Sequence, residues 1–224
     1  VLPNVDWLEI SHAGLETLQM LGGSLFFTVV LGLPLGLALY MTLPGSVYAS
    51  RRLYGVLSFV VNVLRSLPFI ILLIVMIPLT LALTGTSIGV AGAIPPLVVG
   101  TVPFFGRLVE NVLREIDREQ LEAAQTLGAT TAQIVLRIIL PESLPGLIGA
   151  STVTAIALVS YTAMSGVIGG GGLGDLAVRY GYQRFETDVM VVTVTMLLIL
   201  VYALQALGDR LVRLLTQRTT RTGR

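Results

Sequence analysis

Residues 122–141 read EAAQTLGATTAQIVLRIILP. On both sides of this polar, charged stretch the chain runs apolar. Such a segment has no place in hydrocarbon unless protein or water covers it. It therefore belongs to an aqueous face, and something outside the lipid must bind there. Its residues are spaced in a definite way: Glu122-Ala123-Ala124 together, then Gly128, then Ile138 and Leu140-Pro141.

The surrounding composition sets the solvent. Of 224 residues, 54% are hydrophobic and 12% charged, with a net charge of +1 and a mean hydropathy of +0.86. This is close to the composition of a polytopic membrane protein with the lipid bilayer around it; an all-α fold and no nucleic-acid partner are expected. Cys is absent, which removes disulfides, thiolate nucleophiles and Cys-based metal sites. Lys is absent too, all 14 basic residues being Arg. A phosphate-cradling ATPase loop needs a Lys after its glycines, so any ATP hydrolysis must sit on a partner. The single His, His12, lies in the polar N-terminal stretch, where one imidazole cannot build a metal or acid–base site. No catalytic residue, metal or cofactor is expected.

Crossing a bilayer core takes about 20 apolar residues in a helix. Five stretches qualify, at 18–42, 60–83, 87–106, 144–168 and 189–208, in one transmembrane domain covering 1–224. Acidic residues precede the first in place of a basic region, so it is expected to remain as a span and not be cleaved. Arg distribution orients the chain. Arg51 and Arg52, then Arg107, Arg114, Arg118 and Arg137, then Arg210, Arg213, Arg218, Arg221 and Arg224 fall on one side. Only Arg179 and Arg184 fall in the opposite loops. The expectation is an outside N-terminus, a cytoplasmic C-terminus, a cytoplasmic segment at 117–141 and an outer loop at 169–188. Arg65 sits in a run too long for one span. Residues 53–64 fit a helix along the cytoplasmic interface, with Arg65 snorkelling to head groups and Pro68 near the start of the apolar helix.

Within the cytoplasmic segment, Val109, Val112, Leu113 and Ile116 carry span three beyond the lipid, with Glu110 and Arg114 paired one turn apart. Asp117 caps a new short helix, with Gln120 at the capping-box position and Gly128 as its left-handed terminator. A helix of about ten residues is not stable alone in water and needs a docking surface. Ala123 and Ala124 let a partner approach its backbone, and Glu122 offers a carboxylate. Thr130 or Thr131 then caps a further helix, facing Ile134, Val135, Ile138 and Ile139 to the bundle until Pro141 ends it.

The spacing from Glu122 to Pro141 resembles the EAA loop of permease subunits of ATP-binding-cassette (ABC) importers, with no position departing from the pattern. The resemblance implies a type I importer permease fold, in which the short helix sits in a cleft of a separate ATPase and passes its closure to the membrane helices. Carried over, Glu122, Ala123, Ala124 and Gly128 shape the docking site, and Ile138, Leu140 and Pro141 set the hinge to span four. The working unit implied is two permease chains with two ATPase chains. The string Arg65-Ser66-Leu67-Pro68-Phe69 is similar to the start of the first core helix of amino-acid-type permeases.

Span four places Ser151, Thr152, Thr154, Ser160, Tyr161, Thr162 and Ser165 in one apolar helix. A hydroxyl stripe can line a path, or each hydroxyl can bond back to a carbonyl one turn earlier. Gly166 to Asp175 follow with four consecutive glycines, lacking the Lys and strand of a nucleotide loop; they suit helix unwinding and close packing, with Gly170 and Gly174 at small-residue spacing. Together with Leu176 to Met190, this string closely resembles the outer loop of methionine ABC importer permeases. That resemblance implies Tyr161 and Met164 as gate residues; Thr154 and Ser165 are path candidates only through the hydroxyl stripe, for which back-bonding is the equal alternative. It also implies an extracytoplasmic methionine-binding protein docked near Gly171, Gly172, Arg179, Tyr182 and Arg184. Interfacial anchoring is the other account of the loop's aromatics.

Pro34, Pro78, Pro95, Pro96 and Pro103, with Gly32/Gly36 and Gly85/Gly89 at four-residue spacing, lead one to expect bent helices and close crossings. No internal repeat appears, so symmetry must come from a second copy: a homodimer with the pathway near its two-fold axis. The expected function is transport of methionine across the inner membrane by alternating access. A permease for another small polar solute is the nearest competitor. An ion-coupled secondary transporter would carry ionisable groups deep in its spans.

Overall fold

The structure is a computed structural model and describes residues 5–44, 46 and 48–222. Among these residues every regular element is helical: α1 (Trp7–Thr42), α2 (Arg51–Ser66), α3 (Phe69–Val75), α4 (Ile77–Thr84), α5 (Gly89–Leu113), α6 (Arg118–Thr126), α7 (Thr131–Ile134), α8 (Leu140–Ser165), α9 (Gly172–Leu176) and α10 (Thr187–Thr222). Among the described residues four stretches are long and apolar enough to cross a membrane: Trp7–Thr42, Gly89–Leu113, Thr131–Ile168 and Thr187–Thr216. The pair Arg51–Ser66 and Phe69–Val75, bent by 99°, makes a fifth if taken as one broken span.

The first helix begins well before residue 18. Asp6 caps it, its carboxylate accepting from the backbone N–H of Leu8 at 2.9 Å. Ile10, Ala13, Thr17, Met20 and Leu21 then recur at helical spacing on its buried face, so the polar residues between them lie on an amphipathic extension. Further along, α1 packs against α5 through small residues. The Thr28 and Thr101 hydroxyls meet at 2.6 Å. A methyl on Gly32 would stand 2.7 Å from the Phe105 ring, and one on Gly36 2.6 Å from the Gly106 carbonyl oxygen. The Gly32/Gly36 expectation of a close crossing is met.

Gly85 and Gly89 do something else. Both have positive φ, 75° and 72°, and a Cβ on either would meet nothing within 4 Å. They turn the chain between α4 and α5 instead of packing helices together, which corrects the sequence expectation.

The expected span 60–83 is not one helix; the separate helix expected over 53–64 and the new start expected near Pro68 both form. Pro68 lacks an N–H and disfavours helix at Leu67, so the chain breaks there and turns through 99° into α3. A second break at Met76 precedes α4, whose first turn takes Pro78 where no N–H is needed. Pro141 is the opposite case, and another correction: it does not end the helix that starts at Thr131. A π-helical turn, Val135–Ile139, widens the backbone just before it, and Leu140 N–H reaches back to the Val135 carbonyl. That turn makes room for the proline ring, and α7 runs on into α8.

Candidate functional site

The segment 117–141 is built from capping chemistry. Asp117 accepts from Glu119 N–H at 3.0 Å to open α6; the bond goes to the second helical residue and Gln120 returns none, so Asp117 caps the helix as expected but the capping box does not form. At the other end Gly128 adopts φ 79°. Its N–H bonds the Gln125 carbonyl and Ala129 N–H bonds the Ala124 carbonyl, at 2.9 and 3.0 Å, the paired bonds of a Schellman cap. Thr130 and Gln133 then complete a full capping box for α7. Of the two threonines left open by the sequence, Thr130 is the cap. Leu121 is buried and Ala124 half-buried against Ile134, Ile139 and the end of α5. The opposite side of α6 is free: Glu122 and Ala123 are exposed, and Leu127 is 87% exposed. Leu127 is not among the residues that the spacing singles out; the signal for it in the sequence is an isolated leucine among polar residues just before the terminating glycine. At the hinge, Ile138 and Leu140 are half-buried against the same cluster and Pro141 is exposed.

Just before this segment, α5 carries a polar knot that sequence reading saw only in part. Glu110 is fully buried, and its two carboxylate oxygens bind Arg107 and Arg114, each at 2.6 Å. Tyr54 on α2 donates to Glu110 at 3.0 Å, while Arg107 also donates to Ser58 and Asn62 of α2, at 2.7 and 3.0 Å. Burial works against the charge of Arg114, but the hydrogen bond and charge of Glu110, then Tyr54, outweigh it and raise its pKa. The guanidinium therefore stays charged at any working pH. α2 is inside out as a result: Tyr54, Ser58 and Asn62 turn toward α5, while Val56, Phe59 and Val63 are exposed. The Glu110–Arg114 pair was legible from spacing, but the contribution of α2 depends on tertiary placement.

In α8 the hydroxyls bond backwards. Ser151, Thr152 and Thr154 donate to carbonyls four residues earlier, and Thr162 and Ser165 to those three earlier, all within 2.9 Å. Thr154 and Ser165 are fully buried, and Ser165 also contacts the Met20 sulfur at 3.8 Å. Met164 is instead half exposed, on the same open face as Val153, Ser160 and Val167. Tyr161 stacks on Phe69 of α3, ring centroids 4.3 Å apart. Tyr161 and Met164 are thus neighbours on the helix with different surroundings.

The glycine-rich loop folds inward. Gly171 and Gly172 have φ of 79° and 81°. Gly172 N–H donates to the Glu16 carboxylate at 2.7 Å and Leu173 N–H to the Thr17 hydroxyl at 2.9 Å. Gly172 is buried and Gly171 half-buried against α1. Arg179 bonds Asp175 at 2.7 Å and reaches Glu9 at 3.7 Å. Arg184 lies over the Tyr180 ring at 4.6 Å, and Tyr180 donates to Glu9 at 3.0 Å. Beyond this anchored part, Tyr182 is 70% and Phe185 84% exposed. Phe185 holds a left-handed φ of 59°, uncommon for a bulky residue.

Comparison with known proteins places these features. The family of binding-protein-dependent transport system inner membrane components matches residues 29–221. The methionine import system permease protein of Bacillus subtilis is 45% identical over 216 residues, covering 96% of this chain and 97% of its own. The D-methionine transport system permease protein of Escherichia coli is 53% identical over 151 residues, 67% of this chain and 70% of its own. Among solved structures, a chain of a methionine ABC transporter in an inward-facing conformation superposes with a TM-score of 0.91 at 48% identity, covering 93% of this chain and 96% of that one.

Proposed function

The chain belongs to the family of binding-protein-dependent transport system inner membrane components, and from that premise we propose that it is the permease subunit of an ATP-driven methionine importer of the inner membrane. The cargo follows from its relatives, which are methionine permeases along nearly the whole length of this chain. The mechanism is carried by one observation. A short helix, α6, is capped at both ends within its own segment and leaves Glu122, Ala123 and Leu127 exposed. A nine-residue helix has little stability of its own in water. Its free face is shaped for a cleft in a separate protein.

In this reading the chain does no covalent chemistry. Two copies form a homodimer, two ATPase subunits bind the two α6 helices, and an extracytoplasmic methionine-binding protein delivers cargo. The N-terminus lies outside and the C-terminus in the cytoplasm. ATP-driven closure of the ATPases brings the α6 helices together. Ala124 and Gly128 shape the docking face, and the π turn before Pro141 is the compliant joint through which α6 and α7 move α8. Tyr161 and Met164 gate the path, Thr154 and Ser165 lie along the same helix, and the open face of α8 around Met164 meets the second copy near the two-fold axis. ATP favours one state of the bundle only through its differential binding to the two. Arg179, Tyr182 and Arg184 belong to the docking surface for the binding protein, with Gly171 and Gly172 supporting that surface from beneath.

The test is ATP-dependent uptake of labelled methionine by the permease, ATPase and binding protein reconstituted in vesicles, with other amino acids as competitors. Saturable uptake competed by methionine alone is expected. Uptake of a different solute in its place would overturn the cargo, and uptake without ATP would overturn the mechanism.

A further inference from the structure

The bend between α2 and α3 leaves a cavity of about 100 Å³, to which the gate reading assigns only Tyr161. Arg65 stands in its wall with Phe69, Phe104, Tyr161, Leu64 and Gly100. Arg65 is exposed and has no hydrogen bond or ion pair among the described residues; the Phe104 ring lies 5.9 Å from its guanidinium carbon. The contrast with the other cations of this region is direct, since Arg107 and Arg114 are both satisfied by Glu110. The rest of the wall is apolar and aromatic. Phe69 and Tyr161 stack, and Gly100 admits them: a Cβ there would lie 3.3 Å from the Phe69 ring. An unpaired cation beside stacked rings is chemistry for a small molecule with a carboxylate at one end and an apolar, polarisable side chain at the other.

We infer that this cavity is a subsite for an apolar amino acid within the permease, with Arg65 holding the carboxylate and Phe69, Phe104 and Tyr161 receiving the side chain. The inference rests on the importer reading above and deepens it. A carboxylate leaving water for a low-dielectric path needs a compensating charge, and Arg65 supplies a fork of donors for it. Because Tyr161 both lines the cavity and belongs to the gate, occupancy and gate position are coupled. The substrate's ammonium group faces the cavity's open side, where water solvates it.

The experiment uses the intact importer in vesicles and reads methionine molecules moved per ATP hydrolysed. Arg65→Gln is expected to lower that ratio roughly ten-fold or more, the loss of one charge-assisted interaction, and Arg65→Lys to recover part of it. An unchanged ratio in Arg65→Gln overturns the subsite. A second measurement keeps Arg65 in place. The chain has no Cys, so Leu64→Cys gives a single thiol in the cavity wall. Its labelling by a neutral maleimide, without binding protein, is expected to slow with methionine and not with methioninol, which lacks the carboxylate. Equal protection by both, or by neither, overturns the inference. Protection that follows the vesicles' phosphatidylglycerol content instead of methionine also overturns it, assigning Arg65 to a lipid head group. If the wild type moves no methionine at all, the cargo reading fails and this subsite falls with it; wild-type uptake with no effect of Arg65→Gln sinks the subsite alone.

Discussion

The two ends of this bundle carry the same kinds of residue and use them in opposite ways. At one end α6 is closed by a left-handed glycine, Gly128, whose absent Cβ would meet nothing within 4 Å. At the other, Gly172 has nearly the same φ, but a Cβ on it would stand 2.7 Å from the Thr17 hydroxyl oxygen. Acidic residues divide the same way: Glu122 is exposed on α6, whereas Glu16 receives the Gly172 N–H at 2.7 Å. One end is a short module closed by its own caps, seated on the bundle through Leu121 and Ala124 and open on its other face. The other is folded onto the extended first helix. A short polar element with a free face is available to a partner, while a glycine-rich loop whose backbone is bonded to a neighbour is held in place, with Tyr182 and Phe185 exposed beyond the anchored part.

Substitutions can break this contrast. Gly172→Ala should have the largest effect, because strain at positive φ adds to overlap with Thr17 and Met20; a stability loss of about 3 kcal/mol is expected, read as a lower Tm of the purified permease. A Tm like that of the wild type would show the loop is not clamped to α1. Glu122→Arg should leave folding stability within about 0.5 kcal/mol of wild type yet weaken ATPase co-purification by at least about ten-fold and abolish coupled uptake. Retained complex and uptake would remove Glu122 from the docking face.

Smaller effects sharpen the picture. Gly128→Ala carries the backbone strain without the overlap, so about 1 kcal/mol is expected, one third of the Gly172 effect. Equal losses at the two glycines would erase the distinction drawn here. Thr130→Ala removes one capping-box bond and should cost about 1 kcal/mol, seen as faster amide exchange in α7. Arg184→Ala, at an exposed site stacked on Tyr180, should shift stability by less than about 0.5 kcal/mol. It should still reduce stimulation of ATP hydrolysis by the binding protein. Unaltered stimulation would leave Arg184 as an interfacial anchor.

Local rules carried the sequence reading where the decisive contacts are local. Asp117, Gly128 and Thr130 mark the ends of α6 and the start of α7 through bonds spanning a few residues, and the Gly32/Gly36 spacing already implied a close crossing. Failures occurred where one local signal has two tertiary outcomes. Proline at 68 breaks a helix, whereas proline at 141 is carried through by a π turn, and nothing within a few residues distinguishes them. Gly85/Gly89 matched a packing motif but serve as turns, because φ is set by how α4 meets α5. Hydropathy marks an apolar span at 18–42 but not where its helix begins: Ile10, Ala13 and Thr17 precede that span and are buried by the outer loop, a partner more than 150 residues away along the chain. The knot at Glu110 was half legible, since its Arg partners share its helix while Tyr54, Ser58 and Asn62 come from α2.

The central claim, that α6 is the end that holds the ATPase, has a direct test in a chain without native cysteine. Leu127→Cys and Tyr182→Cys are each placed in the assembled importer and treated with a short thiol-to-amine cross-linker. The expected result is an adduct between permease and ATPase from position 127 and none from position 182. An ATPase adduct from 182, with none from 127, would contradict the account.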